Sequence, residues 1–279
     1  MRRLLLLLLL VCLPVVADQR VIYQPLNQDA VLTAEQWRQL WRDTVQNGGR
    51  TLIVQWTRYG DERFGGGSGW LATSLREAHA QGLELVVGLH MDSAYYTRIN
   101  ELDSAGLAAY WQAQLGESLT QQREVRDQWK LPVAGWYLPM ELDDLHFQAS
   151  DRREVLYTQL QEFNRKLDGP LHLSAFSTGK LAPGVQASWF AELAALKLNL
   201  WWQDGSGTGR LSPLVRQRYA DALPCEVGII REAFRQVSAE GEAFRAVPRA
   251  PTMGARCHTE AVFALNYRPW AKVLPSAPR

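Results

Sequence analysis

The residues best suited to chemistry in this chain are two glutamates, each carried off the end of an apolar run. Residues 135–144 read GWYLPMELDD, an aromatic-rich stretch that stops at Glu141, Asp143 and Asp144 without a spacer. Further along, CEVGIIREAF delivers Glu232 in the same way. Two carboxyls presented by separate strands suit hydrolysis of a glycosidic bond. There one carboxyl protonates the leaving oxygen, and the other attacks the anomeric carbon or activates water. The bland alternative is that each glutamate makes a solvated ion pair just past its strand, since strand exits are usually wet.

Alternation along a strand supports the pair. If Glu141 faces inward, so do Tyr137 and Gly135, and Met140, Leu138 and Trp136 face outward. An inward Glu232 similarly turns Ile230 and Gly228 in and Arg231 out or along the rim. Polar side chains recur where the other apolar runs end: Gln24, Gln55, His90, Asp92, Ser174, Gln203, Asp204 and Asn266, with Trp56 and Tyr267 beside them. Tyr59, Tyr95, Tyr96, Tyr137, Phe176, Trp201, Trp202 and Phe234 interleave with these. A polar ring with aromatic platforms fits a carbohydrate, whose hydroxyls lie at its edges and whose C–H faces stack on rings.

Other constellations point to less. His90 and Asp92 with Asp143 lack the His-x-x-x-His or Cys/His companions of a metal site, so no metal is expected. Gly65–Gly69 lacks the Gly-Lys-Ser/Thr ending of a phosphate loop and reads as a mobile loop, a candidate lid. Asp204 in QDGSG reads either as a substrate ligand or as a turn aspartate. Ser174 has no G-x-S-x-G elbow around it.

The elements that must position these residues alternate. Strands are expected at Arg20–Pro25, Thr51–Thr57, Leu83–His90, up to Glu141, Leu171–Phe176, Leu198–Trp202, Glu226–Arg231 and Ala261–Tyr267. Helices are expected over Thr33–Gln46, where Thr33 and Gln36 make a capping box, and over Trp70–Gln81, Ala105 to about Trp129, 151–167, 186–196 and 212–222. Eight strands with intervening helices predict a parallel sheet. No G-x-G-x-x-G follows the first strand, so a closed (β/α)8 barrel of the TIM type is favoured over an open dinucleotide fold. In such a barrel the site lies where strands meet the loops that follow them. The last crossover, 233–260, is irregular and proline-containing.

Arg2 and Arg3, the apolar Leu4–Val11 and the small-residue end Val15–Ala17 read as a secretory signal over residues 1–17, cleaved after Ala17. Its apolar run is too short to span a bilayer, and Val11 fits poorly the small residue that lipid modification of Cys12 would want. The expected mature chain, 18–279, is one barrel domain, periplasmic or secreted, with no membrane span. An apolar fraction of 47% supplies a core, and a net charge of +1 without a basic cluster argues against nucleic acid. Some of the eleven tryptophans must serve that core. Cys225 and Cys257 precede successive strands, and in an oxidising compartment such a pair is a disulfide candidate at the barrel's rim.

Taken together, YQPL, TLIVQWTRYG, GWYLPMELDD, LHLSAFSTGK and LNLWWQDGSGTG resemble the family known as domain of unknown function 4434. This is a bacterial group regarded as glycoside-hydrolase-like TIM barrels. The resemblance runs from about Val21 to Tyr267, and its most specific marks are Tyr137, Pro139 and Glu141, Gln203, Asp204 and Gly205, and Glu232 with Phe234. Similarity to the wider clan of retaining glycosidases implies that Glu141 on strand four is the acid/base and Glu232 on strand seven the nucleophile. That clan commonly places asparagine before the strand-four glutamate, and here the position is Met140.

The expectation is an exported glycoside hydrolase acting on a polysaccharide or oligosaccharide with retention and without a cofactor. His90, Gln203, Asp204 and Asn266 would hold hydroxyls, and Trp56, Tyr137, Trp202 and Tyr267 would meet the sugar's faces. The alternative on the same barrel is a non-catalytic glycan-binding or exopolysaccharide-assembly protein.

Overall fold

The structure is a computed structural model that describes residues 19–239, 241–254 and 257–275. The expected signal, residues 1–17, lies outside them. Eight parallel strands close into a barrel. They are β1 (Gln19–Tyr23), β2 (Gly49–Val54), β3 (Glu84–Gly88), β4 (Val133–Asp143), β5 (Leu171–Phe176), β6 (Asn199–Gln203), β7 (Gly228–Glu232) and β8 (Glu260–Phe263). Closure is made by β1, which pairs with both β2 and β8.

The outer layer comprises α1 (Ala34–Gln46), α2 (Trp70–Ala80), α3 (Tyr95–Glu101), α4 (Ser104–Glu124), α5 (Ser150–Lys166), α6 (Pro183–Ala194) and α7 (Pro213–Ala222). The Thr33–Gln36 capping box starts α1 as read from the sequence. None of these helices is long and apolar enough to cross a membrane. The short α3 gives no periodic signal and was not expected.

Strand alternation divides the core in two. Ile22, Ile53, Val86, Tyr137, Trp201, Ile230 and Ala261 fill the barrel's interior, one each from seven strands. The outward residues Trp136, Leu138 and Met140 join the larger layer between sheet and helices. Trp41, Trp111, Trp129, Trp136, Trp189 and Trp202 are fully buried, so core packing consumes over half of the tryptophans. Gly228 is required inside the barrel, because a Cβ there would stand 2.4 Å from the Trp201 ring.

Several strand ends differ from expectation. The first strand stops at Tyr23 and the second at Val54, leaving Gln24, Gln55 and Trp56 beyond them. The third stops at Gly88, where the backbone packs so closely that a Cβ would lie 2.3 Å from the Gln55 carbonyl. His90 then pairs with Arg58 in a two-strand ladder outside the barrel. The last strand ends at Phe263, and Leu265–Tyr267 forms a 3-10 turn anchored by the fully buried Leu265. The glycine-rich segment is not part of the cavity wall described below. Its turn packs on the π-helical turn Val125–Trp129 that follows α4, where a Cβ on Gly67 would lie 2.7 Å from the Gln128 carbonyl.

The irregular crossover from β7 to β8 contains no helix among the described residues. It holds an antiparallel hairpin of Phe234–Gln236 and Ala246–Pro248. A disulfide between Cys225 and Cys257, with Cα atoms 5.4 Å apart, ties this crossover together. The bridge precedes both β7 and β8, and so lies at the barrel's N-terminal rim, opposite the loops that follow the strands.

Candidate active site

A cavity of about 1100 Å³ opens where β4 to β7 run out, walled by α3 on one side and the hairpin on the other. Glu141 and Glu232 both line it.

Glu141 is presented by an irregularity. Leu138 pairs with Leu173 and Leu142 with Ala175, so β4 carries two more residues than β5 over this interval. Pro139 begins the extra segment, and a residue with no N–H to give belongs where ladder pairing is interrupted. Inward–outward parity survives because the insertion is even: Leu142 still packs in the outer core. The strand therefore continues through Asp143 rather than ending at Glu141.

Each carboxyl oxygen of Glu141 has a donor. Gln203 Nε2 donates to Oε1 at 2.5 Å, and the Tyr96 hydroxyl donates to Oε2. Tyr95 donates to the Glu141 backbone carbonyl at 2.7 Å, and Gln203 also reaches Ser174 Oγ at 3.4 Å. Burial pushes the Glu141 carboxyl above the usual range, with the Asp143 charge adding to it, while the two donors oppose.

Glu232, 5% exposed, ends β7 and receives backbone donors from the QDGSGTG loop after β6. The Gly207 N–H donates to Oε2, as does the Thr208 N–H at 3.2 Å. Gly207 is needed for this approach, because a Cβ would stand 2.8 Å from Oε2 and 2.7 Å from the Phe234 ring. Burial first, then the charge of Asp204, raises Glu232 to about 7, and Glu141 contributes in the same direction. Burial thus favours the protonated form of both carboxyls, and the charge of Glu141 adds to the effect on Glu232.

Of the remaining sequence-read residues, the structure brings Gln203, Asp204 and Trp202 to the cavity lining. Asp204 is chiefly a turn aspartate: Oδ1 accepts from Ser206 N–H at 2.9 Å and Oδ2 faces Arg231 at 3.5 Å. Trp202 is 1% exposed, with its ring in the outer core and its indole N–H on Ser177 Oγ, so it offers no sugar platform.

Trp56, His90, Tyr137, Asn266 and Tyr267 are not among the lining residues. Trp56 donates to the Pro25 carbonyl at 3.1 Å. His90 is buried beside the Arg58 ladder, and burial lowers its pKa. The Tyr137 hydroxyl is bound to Ser174 Oγ at 2.7 Å inside the barrel. Asn266 and Tyr267 follow the last strand in the 3-10 turn, and the Tyr267 ring packs 5.2 Å from Phe234. Trp56, His90, Asn266 and Tyr267 had been assigned to the mouth because their strands were read two to four residues too long, whereas Tyr137 lies deeper, within its strand in the barrel interior.

The sequence reading missed much of the actual lining. Asn100 comes from α3, as does Tyr96, which the sequence had marked only as one of the interleaved aromatics; Leu145 and His146 follow β4; Arg210 and Arg216 follow β6; and Gln236, Ser238, Glu242 and Phe244 come from the hairpin. His146 Nδ1 lies 2.8 Å from the buried Asp143, and its Nε2 lies 3.0 Å from Asn100 Oδ1. Phe176 and Phe244 join Tyr96 as aromatic faces in the lining, and Phe244 is 46% exposed. Asp144 has a structural duty. It accepts from the backbone N–H groups of Thr178, Gly179, Lys180 and Leu181 and from the Thr178 hydroxyl, fixing the loop after β5.

Comparison with known proteins agrees with this architecture. A putative α-L-fucosidase from Bacteroides thetaiotaomicron superposes with a TM-score of 0.56 at 12% identity, over 92% of this chain and 94% of that one. The spore cortex-lytic enzyme SleL of Bacillus megaterium gives 0.56 at 9% identity, over 92% and 73%. Identities this low speak to the barrel alone. In sequence, "Uncharacterized protein YbcH" of Escherichia coli K12 is 33% identical over 245 residues, 84% of this chain and 81% of that protein. Residues 21–261 match the family described as domain of unknown function DUF4434, and the chain belongs to that family.

Proposed function

We propose that this protein is an exported glycoside hydrolase of the retaining kind, acting on a polysaccharide. One observation carries the reading. Two carboxyls delivered by β4 and β7 line a single cavity, and the surroundings of each raise its pKa. Surroundings that favour protonation suit the acid that the reaction needs at its start.

Glu141 takes the role of acid/base. Protonated, it gives its proton to the glycosidic oxygen as that bond breaks, and the Gln203 and Tyr96 donors then hold the carboxylate that remains. Glu232 attacks the anomeric carbon with Oε1, while the Gly207 and Thr208 N–H groups keep Oε2 in place. Water, deprotonated by Glu141, then releases the sugar and restores both groups. Phe176 and Phe244 offer stacking faces for sugar rings. Barrels of similar shape include a protein described as a putative fucosidase and a spore cortex-lytic enzyme, which is compatible with a saccharide substrate.

The test is release of reducing ends from a glycan panel by wild type, Glu141→Gln and Glu232→Gln, with the product anomer read by NMR. Both variants are expected to lose turnover by about a thousandfold or more, and the product should keep the substrate's anomeric configuration. Unimpaired turnover in either variant removes that residue from the mechanism. An inverted product reassigns Glu232 from nucleophile to base.

A further inference from the structure

The cavity holds two arginines, the exposed Arg210 and the half-buried Arg216, that make no ion pair or hydrogen bond among the described residues. Arg210 and Arg216 both line it. Other arginines around the barrel mouth are engaged: Arg231 with Glu260 and Asp204, Arg98 with Asp92, Arg58 with Glu117, and Arg245 with Glu242. Arg152 and Arg153 donate to backbone carbonyls. Arg210 and Arg216 have no such hydrogen bond or ion pair among the described residues, and the Nε–H of Arg216 is enclosed without an acceptor. An enclosed donor left unpaired costs free energy that an incoming acceptor recovers.

The acidic groups nearby do not fill this role. Asp204 is committed to its turn and to Arg231, Glu242 to Arg245, and Asp143 to His146. Glu232 is held by the Gly207 and Thr208 amides. The position of Arg216 links it to the reacting pair. Its Cδ lies 3.8 Å from where a Cβ on Gly205 would stand, at the start of the same turn that presents Gly207 and Thr208 to Glu232. A group bound by Arg216 therefore shares one cavity with a sugar at Glu232.

We infer that the glycan is acidic, and that Arg210 and Arg216 read a sugar carboxylate, as in a uronic acid, beside the point of cleavage. The guanidinium's planar fork matches a carboxylate's two oxygens, and the bond is charge-assisted on both sides. A neutral sugar offers hydroxyls, which leave both charges unmatched. This inference rests on the glycoside-hydrolase reading for the cleavage point but not for the binding itself.

The experiment measures binding by affinity electrophoresis and calorimetry, with the whole mature chain, wild type and R210Q/R216Q. The panel contains alginate and polygalacturonate, methyl-esterified polygalacturonate, dextran sulfate, and the neutral xylan and dextran. At least one carboxylated polymer is expected to bind about tenfold or more tightly than the esterified and neutral ones. That preference should collapse in the double variant, and also in wild type at about 0.5 M salt. Thermal unfolding of the variant checks that it is folded, and single R210Q and R216Q chains replace it if it is not.

Equal binding of neutral and acidic glycans, no binding of any carboxylated glycan, or a preference that survives loss of the arginines would overturn the inference. Tighter binding of dextran sulfate through the same arginines would overturn the carboxylate assignment. Reducing-end release on the same panel keeps the two readings separate. Arginine-dependent binding without turnover sinks hydrolysis alone, and turnover of neutral glycans without preference sinks the acidic substrate alone.

Discussion

Replacing Glu232 by glutamine is expected to stabilise the fold at alkaline pH, independently of any substrate. The carboxyl is 5% exposed and titrates at about 7 in the folded protein, against a reference of 4.5. A folded-state value above the unfolded one means that folding favours the protonated form. The associated stability is complete below 4.5 and is lost as pH rises through about 7. Each unit of separation corresponds to about 1.4 kcal/mol, so Glu232 costs the wild type roughly 2 to 3 kcal/mol on going from pH 5 to pH 8. Glutamine has no such titration, and its amide oxygen still accepts from the Gly207 and Thr208 N–H groups.

Urea unfolding of wild type and Glu232→Gln at pH 5 and pH 8 gives the double difference, in which titrating groups not coupled to Glu232 largely cancel. Relative to pH 5, the variant should gain roughly 2 to 3 kcal/mol over wild type at pH 8. Parallel pH dependences in the two proteins would refute the argument, since they would mean that this carboxyl is as easily ionised folded as unfolded.

Three further outcomes are expected. Tyr96→Phe removes a donor that favours the Glu141 carboxylate, so the alkaline limb of the kcat/KM–pH profile should move to higher pH. An unmoved limb, or one shifted down, would detach Tyr96 from Glu141's titration. Asp144→Ala strips the acceptor from four backbone N–H groups after β5 and should cost about 3 kcal/mol or more in chemical denaturation. A loss under 1 kcal/mol would show that water replaces the carboxylate there. Cys225→Ser/Cys257→Ser opens a link across 32 residues of sequence and should cost about 4 kcal/mol on chain-entropy grounds. An oxidised wild type no more stable than this variant would refute that.

The barrel was legible in the sequence because each strand's pattern is local. Tyr137 and Ile230 fell inward and Trp136, Leu138 and Met140 outward, as alternation required, and the helices started within a few residues of their expected positions. Glu141 and Glu232 were readable for the same reason, as carboxyls appended to apolar runs of known parity. Strand lengths were harder to read. Apolar residues continue past the point where hydrogen-bonded pairing stops, so Trp56, His90 and Tyr267 looked like strand-end groups when they pack elsewhere. The Gly207 and Thr208 amides left a visible mark in QDGSGTG, but nothing in that string says which carboxyl they would meet.

What the sequence alone determined is periodic or covalent in origin: which residues form strands, which side each side chain takes, and which two acids end up at strand termini. Only the closed tertiary structure decided which side chains surround those acids. Tyr96 from α3, Arg216 from α7 and Phe244 from the hairpin reach one cavity with Glu141 and Glu232 from segments far apart in the chain. The reason is physical. Burial, the approach of donors and the mutual repulsion of charges depend on distances set by barrel closure, and no local pattern of residues encodes them.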